Sequence, residues 1–163
     1  VLGLSPSYGE AFFKAQEAVQ SKLPLEGCVL ISVNKKDKDE IVEIARSLSG
    51  DGFKIVATSG TCDIITSAGI PAQKAKKLYE GRPNVGDMIA NGDFDLIINS
   101  PVGKDGVHDD SYLRKAAIKA KAPYITTVAA AKVAAEGIHY VKTHRQGELK
   151  SLQELHGEIH DKD

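Results

Sequence analysis

Cysteine, net charge and long apolar runs are all scarce in this chain, and each shortage removes a class of function. The two cysteines, Cys28 and Cys62, stand far apart, with no CxxC and no histidine at metal-ligand spacing. That argues against a disulfide framework or a metal centre and fits a reducing, cytoplasmic setting. Against 21 Lys and Arg stand 22 Asp and Glu, for a net charge of -1, so no global field holds a nucleic acid polymer and any anion site must be local. No stretch approaches the ~20 apolar residues of a membrane span, and the N-terminus lacks the basic and apolar regions of a signal peptide. No membrane partner is therefore expected. A GxxxxGK[ST] motif is missing, which excludes a Walker A loop. No Ser/His/Asp or Cys/His constellation is visible, so no catalytic residue is assigned.

What is present is a regular alternation of strand and helix in 163 residues, 42% of them hydrophobic, enough for one packed domain. Ser7 and Glu10 form a capping box for a first helix to about Gln20, and residues 21–27 read as a connector. Residues 28–33 are a continuously apolar strand, as parallel strands covered on both faces are. Asp37 with Glu40 makes an acidic capping box for a helix with Ile41, Ile44, Ala45 and Leu48 inward. Strands follow at 53–57, 94–98 and 124–128, with a short proline-led edge segment from Pro71 to about Leu78. Helices are expected after the turn at 58–61, with Ile64, Ile65 and Ala68 inward and Gly69 as its end, from Asn84 to Asn91, from Asp109 onward after a loop of about eight residues, and from Ala129 to Gly137. Ser151 with Glu154 caps a last helix. Strand and helix thus alternate about five times, which predicts a doubly wound, five-stranded parallel sheet with helices on both faces.

Ligands in such folds bind at the carboxyl ends of the strands. There the sequence places Thr58-Ser59-Gly60-Thr61, a turn of hydroxyls and glycine between strand and helix. The first N–H groups of a helix lack internal partners and carry a partial positive charge, so such a turn either caps its helix or binds an anion, phosphate being the best match. Lys38 and Lys77 occupy corresponding places on neighbouring units and could converge on that anion. Asn99 offers donor and acceptor together, as a sugar hydroxyl or base edge needs, or forms a turn. Asp109 accepts from a ribose hydroxyl or caps its helix, and His108 beside it is either an acid–base group or an ordinary loop histidine.

The runs Leu30-Ile31-Ser32-Val33, Asp37-Lys38, Ala57-Thr58-Ser59-Gly60-Thr61, Lys77-Leu78-Tyr79-Glu80-Gly81-Arg82-Pro83 and Asp95-Leu96-Ile97-Ile98-Asn99 resemble the methylglyoxal-synthase-like, Rossmann-type domain at the C-terminus of the carbamoyl phosphate synthetase large subunit. Lys-x-x-Glu-Gly-Arg-Pro at 77–83 is the most specific piece. Val1-Leu2-Gly3-Leu4 and Glu10-Ala11-Phe12 resemble the segment before that domain. Residues 1–26 are therefore expected to lead in from a preceding synthetase domain and 27–163 to form the regulatory domain. With Val1 in place of methionine, the chain reads as a piece of a longer polypeptide.

The resemblance implies regulation. The parent enzyme makes carbamoyl phosphate from glutamine, bicarbonate and two ATP for arginine and pyrimidine synthesis. Bacterial members bind nucleotide monophosphate effectors here, UMP inhibiting and IMP activating, while ornithine activates from the interface with the adjoining domain. By position, Lys38, Thr58, Ser59, Gly60, Thr61 and Lys77 would hold the phosphate, and Ser32, Asn99, Asp109, Tyr112 and Leu113 would surround the nucleoside. Tyr124 and Thr126 would face ornithine. Partners implied are the rest of the large subunit and a glutaminase small subunit. No cofactor is expected in this domain, ATP and divalent metal belonging to the synthetase domains. One departure is Pro101, where the family often has threonine. The alternatives are methylglyoxal synthase, a phosphate-eliminating lyase whose aspartates fall near Arg82 and at Ser100 here, and a docking module with a vestigial phosphate pocket.

Overall fold

Period-two alternation along each strand builds two cores, one on either face of a single sheet. The computed structural model describes residues 2–19, 21–101, 103–144 and 151–160, of which 103–109, 155 and 158–160 in backbone only. The chain runs through α1 (Tyr8–Ala18), β1 (Cys28–Ser32), α2 (Lys38–Gly50), β2 (Lys54–Thr58), α3 (Ser59–Ser67) and β3 (Gln73–Ala75). It continues through α4 (Val85–Asn91), β4 (Leu96–Asn99), α5 (Gly103–Ala120), β5 (Tyr124–Ile125), α6 (Val128–Thr143) and α7 (Leu152–His160). Val29 and Ile31, Ile55 and Ala57, and Leu96 and Ile98 face a larger core closed by α1, α2, α3 and α6. Leu30, Val56 and Ile97, one residue out of phase, face a smaller core closed by Val85 and Ile89 of α4 and Leu113 and Ala117 of α5. This is why β1 is apolar from Cys28 to Ile31.

The five strands are all parallel in the order β3-β2-β1-β4-β5, the doubly wound architecture the alternation predicts. The chain reverses its direction of travel across the sheet at β1, which pairs with β2 on one side and β4 on the other, with Ser32 opposite Asn99. That reversal opens a crevice above the carboxyl ends of β1 and β4. β3, with its preceding Pro71, is an edge strand as expected. The 41, 44, 45, 48 stripe of α2 is buried.

Several local expectations are corrected. Ser7 makes no side-chain cap. Glu10 is 5% exposed and bonds Ser5 and Lys14 instead, tying the segment before α1 to the helix. Asp37 makes no cap either, because its carboxylate accepts from Ser100 Oγ at 2.6 Å and from Asn34. Helix α5 begins at Gly103 rather than Asp109. Its packed second half propagates backward through Gly106, a glycine costing only about 1 kcal/mol in a helix. The strand expected over 124–128 is two residues long, since Thr127 caps α6 by accepting from Ala130 N at 3.2 Å. Helix α6 also runs past Gly137 to Thr143. That glycine is a crossing point and not a stop: a Cβ there would lie 2.5 Å from the carbonyl oxygen of Gly9 in α1. Helix α1, expected as a lead-in, thus packs on α6 and contributes Phe13 to the larger core. Among the described residues no helix is long and apolar enough to cross a membrane.

Candidate functional site

Ser32, Thr58, Lys77, Asn99 and Leu113, all expected site residues, line one cavity of about 460 Å³ at the β1/β4 reversal. Asn34, Tyr79, Val85, Ser100, Pro101 and Asp110 are among its other walls. The volume lies in the range of small-ligand pockets.

One end of the cavity is built by the β2–α3 junction. Thr58 sits at the N-cap of α3 in extended backbone but makes no side-chain cap. Its hydroxyl donates to Ser32 Oγ at 3.2 Å instead, which leaves the first N–H groups of α3 without that partner. Lys38 reaches over this turn and donates to Gly60 O at 2.9 Å. A Cβ on Gly60 would lie 3.0 Å from the Lys38 ammonium, so glycine is what allows the lysine to close on the turn. Ser59 and Gly60 remain partly exposed beside the cavity. Thr61 does not face it: 2% exposed, its hydroxyl accepts from Val33 N at 3.3 Å and pins α3 to the end of β1. Lys77 Nζ lies 5.7 Å from the centre of the Tyr79 ring and forms no ion pair with a described residue.

The opposite wall is a polar network centred on the buried Asn99 and Asp110. Asn99 Nδ2 donates to Asp110 Oδ1 at 3.1 Å and to the Tyr124 hydroxyl at 2.8 Å. Tyr124 donates to the same Asp110 oxygen at 2.9 Å, and Arg114 reaches Oδ2 at 2.8 Å. Burial first, and the neighbouring Asp110 carboxylate second, push the Tyr124 phenol above its ordinary range, so it stays a hydrogen-bond donor. Sequence reasoning missed Asp110. The signal was available, because the buried stripe Leu113 and Ala117 carried back three places lands on Asp110, with Arg114 one turn on. The Asn34–Asp37–Ser100 cluster was missed as well, hidden by reading Asp37 as a cap. In it Ser100 Oγ also accepts from Asn34 N at 3.1 Å, tying the β1–α2 turn to the end of β4.

The remaining expectations separate. Tyr112 is 54% exposed and its ring lies against Gly86 of α4, outside the cavity lining. Thr126 faces a separate cavity of about 250 Å³ between α1 and α6, shared with Phe12 and Tyr124. His108 and Asp109 fall on side chains outside those described. Burial raises both cysteine thiols, so neither is poised as a thiolate. Among the described residues no three of His, Cys, Asp and Glu are grouped to hold a metal ion.

Residues 40–126, more than half the chain, match the MGS-like domain. The chain is 45% identical over 161 residues to the carbamoyl phosphate synthase large chain of Methanothrix thermoacetophila, covering 98% of this chain and 15% of that one. It is 48% identical over 143 residues to the C-terminal section of the large chain of Methanopyrus kandleri, covering 87% of this chain and 26% of the relative. It therefore spans only a small part of the length of the curated relatives it matches. Among solved structures, methylglyoxal synthase from Elizabethkingia anophelis NUHP1 superposes with a TM-score of 0.56 at 16% identity, over 79% of this chain and 97% of that one. At that identity the likeness shows the fold alone.

Proposed function

The chain belongs to the MGS-like domain family, and its relatives over nearly its whole length are sections of carbamoyl phosphate synthase large chains; we propose that it is the allosteric domain of such a large chain, binding a nucleoside monophosphate effector. The observation that carries this is the surplus of donors at one end of the cavity. The N–H groups of α3 lack a side-chain cap, Lys38 closes on the same turn at Gly60, and Lys77 lines the cavity together with Thr58. Each charge-assisted bond from such donors contributes about 1.5 to 3 kcal/mol, which suits a phosphate. Asn99 and Ser32 then meet the sugar, and Val85 and Leu113 give the base an apolar wall.

Catalysis by this chain has less support. The Asp110 carboxylate in the cavity wall is engaged by Arg114, Tyr124 and Asn99, and Arg82 is paired with Asp87. Neither position offers a free carboxylate base for a phosphate-eliminating reaction. In the proposed role the nucleotide acts by differential binding: it favours one arrangement of the rim and so one set of contacts with the synthetase body. Carbamoyl phosphate synthesis, the glutaminase partner and the cytoplasmic setting belong to that full assembly.

Calorimetric titration with UMP, IMP and inorganic phosphate, beside an assay for methylglyoxal from dihydroxyacetone phosphate, tests the reading. Nucleotide binding tighter than phosphate with no methylglyoxal is the expected result. Turnover would replace it with a lyase, and silence in both assays with a docking module.

A further inference from the structure

Tyr79 is 72% exposed, yet it stands on one of the most firmly braced turns of the molecule. Lys77 N donates to Glu80 Oε2 at 2.8 Å, and Glu80 N donates back to Lys77 O at 3.1 Å. Beyond the tyrosine, Gly81 at φ 101 turns the chain, and its carbonyl accepts from Asn84 Nδ2 at 3.0 Å. Val85 N closes the segment on Lys76 O at 2.9 Å. Leu78, before it in the chain, packs close to Gly86, where a Cβ would meet it at 2.7 Å. A solvent-facing aromatic ring gains nothing for the core, and here the backbone that carries it is braced at the wall of the cavity.

We propose that Tyr79 is the stacking platform for the effector's base and selects nucleotides over simpler phosphates. This rests on the nucleotide reading of the cavity. The ring is sequence-tolerant in what it stacks, since every base presents a π-face, and a tyrosine held by its backbone loses little freedom in doing so. Lys77 couples it to the phosphate. The ammonium lies 5.7 Å from the ring centre, and a cation–π contact on an exposed ring is weaker than a charge-assisted bond to phosphate. A bound phosphate therefore draws Lys77 towards α3, and the base takes the ring face that the ammonium leaves. Tyr112, the other exposed tyrosine nearby, is excluded because its ring is turned onto Gly86 and lies outside the cavity lining.

The test measures dissociation constants of IMP, UMP and ribose 5-phosphate for the wild-type chain, Tyr79→Phe and Tyr79→Ala. Tyr79→Ala is expected to weaken nucleotides about tenfold, IMP more than UMP because the purine has the larger face, and to leave ribose 5-phosphate unchanged. Tyr79→Phe is expected to behave as wild type. Unchanged nucleotide affinity in Tyr79→Ala, or an equal loss for ribose 5-phosphate, overturns the platform while leaving the nucleotide site standing. A wild-type chain that binds none of the three overturns both. Unchanged melting temperatures certify that the variants fold.

Discussion

Lys38 and Lys142 stand at opposite ends of the sheet, and each donates to backbone carbonyls at a junction of helix and strand. At the amino end Lys142 Nζ meets Leu25 O at 2.7 Å and Asp51 O at 2.5 Å. His139 Nδ1 meets Asp51 Oδ1 at 2.9 Å, and Cys28 N donates to Asp95 Oδ2 at 2.8 Å. What is left over there is an acceptor: Asp51 Oδ2 is buried with no partner among the described residues. At the carboxyl end Lys38 covers one carbonyl, and what is left over are donors, on α3 and Lys77, beside a cavity. Parallel strands leave helix N-termini at their carboxyl ends, so the surplus has a fixed sign. A sealed acceptor serves no anion, whereas open donors do.

Breaking this contrast at the polar wall has the largest expected effect. Asp110→Ala strips Asn99, Tyr124 and Arg114 of their shared acceptor and is expected to cost about 3 kcal/mol of stability, read by denaturant melts, together with loss of nucleotide binding. Lys77→Ala is expected to weaken nucleotide binding about tenfold at unchanged melting temperature, because its ammonium is committed to no carboxylate. Thr61→Ala sharpens the point from the other side: it removes the acceptor for Val33 N and is expected to lower stability by about 1 kcal/mol. Lys142→Ala, at the amino end, should lower stability by about 1 kcal/mol or less and leave affinity untouched. Equal effects of Lys77→Ala and Lys142→Ala on affinity would erase the distinction between the ends.

The smallest effect expected is a pH dependence at α1. Burial alone would raise the Glu10 carboxyl, but hydrogen bonds from Ser5, Lys14 and Tyr140 bring it below its ordinary value of 4.5. A lowered folded value means that Glu10 contributes stability above the unfolded value, and that this is lost as pH falls through the folded one. Melting curves of wild type and Glu10→Gln are expected to differ at neutral pH and to converge in acid.

The doubly wound sheet was legible because burial on both faces leaves an unmistakable apolar run in β1 and a 41, 44, 45, 48 stripe in α2. That Thr58, Lys77 and Asn99 gather around one cavity was legible because a parallel doubly wound sheet brings its strand ends to one rim. The surroundings of Thr61, Tyr112 and Asp37 were not, since hydroxyls, rings and carboxylates look the same in sequence whether they face a cavity, cap a helix or turn to a neighbouring chain segment.

Local pattern alone determined the order of strands and helices, though not all their bounds, and through their alternation the parallel sheet and the end of it that carries the surplus of donors. Periodicity and helix polarity are properties of consecutive residues, and they need no distant partner. Only the tertiary structure decided that Gly137 continues a helix because Gly9 crosses it, that Asp110 joins Asn99 in the cavity wall, and that Thr61 serves β1. Those outcomes depend on groups 11 to 128 residues away in sequence, whose approach is set by packing and by the pairing of buried polar atoms.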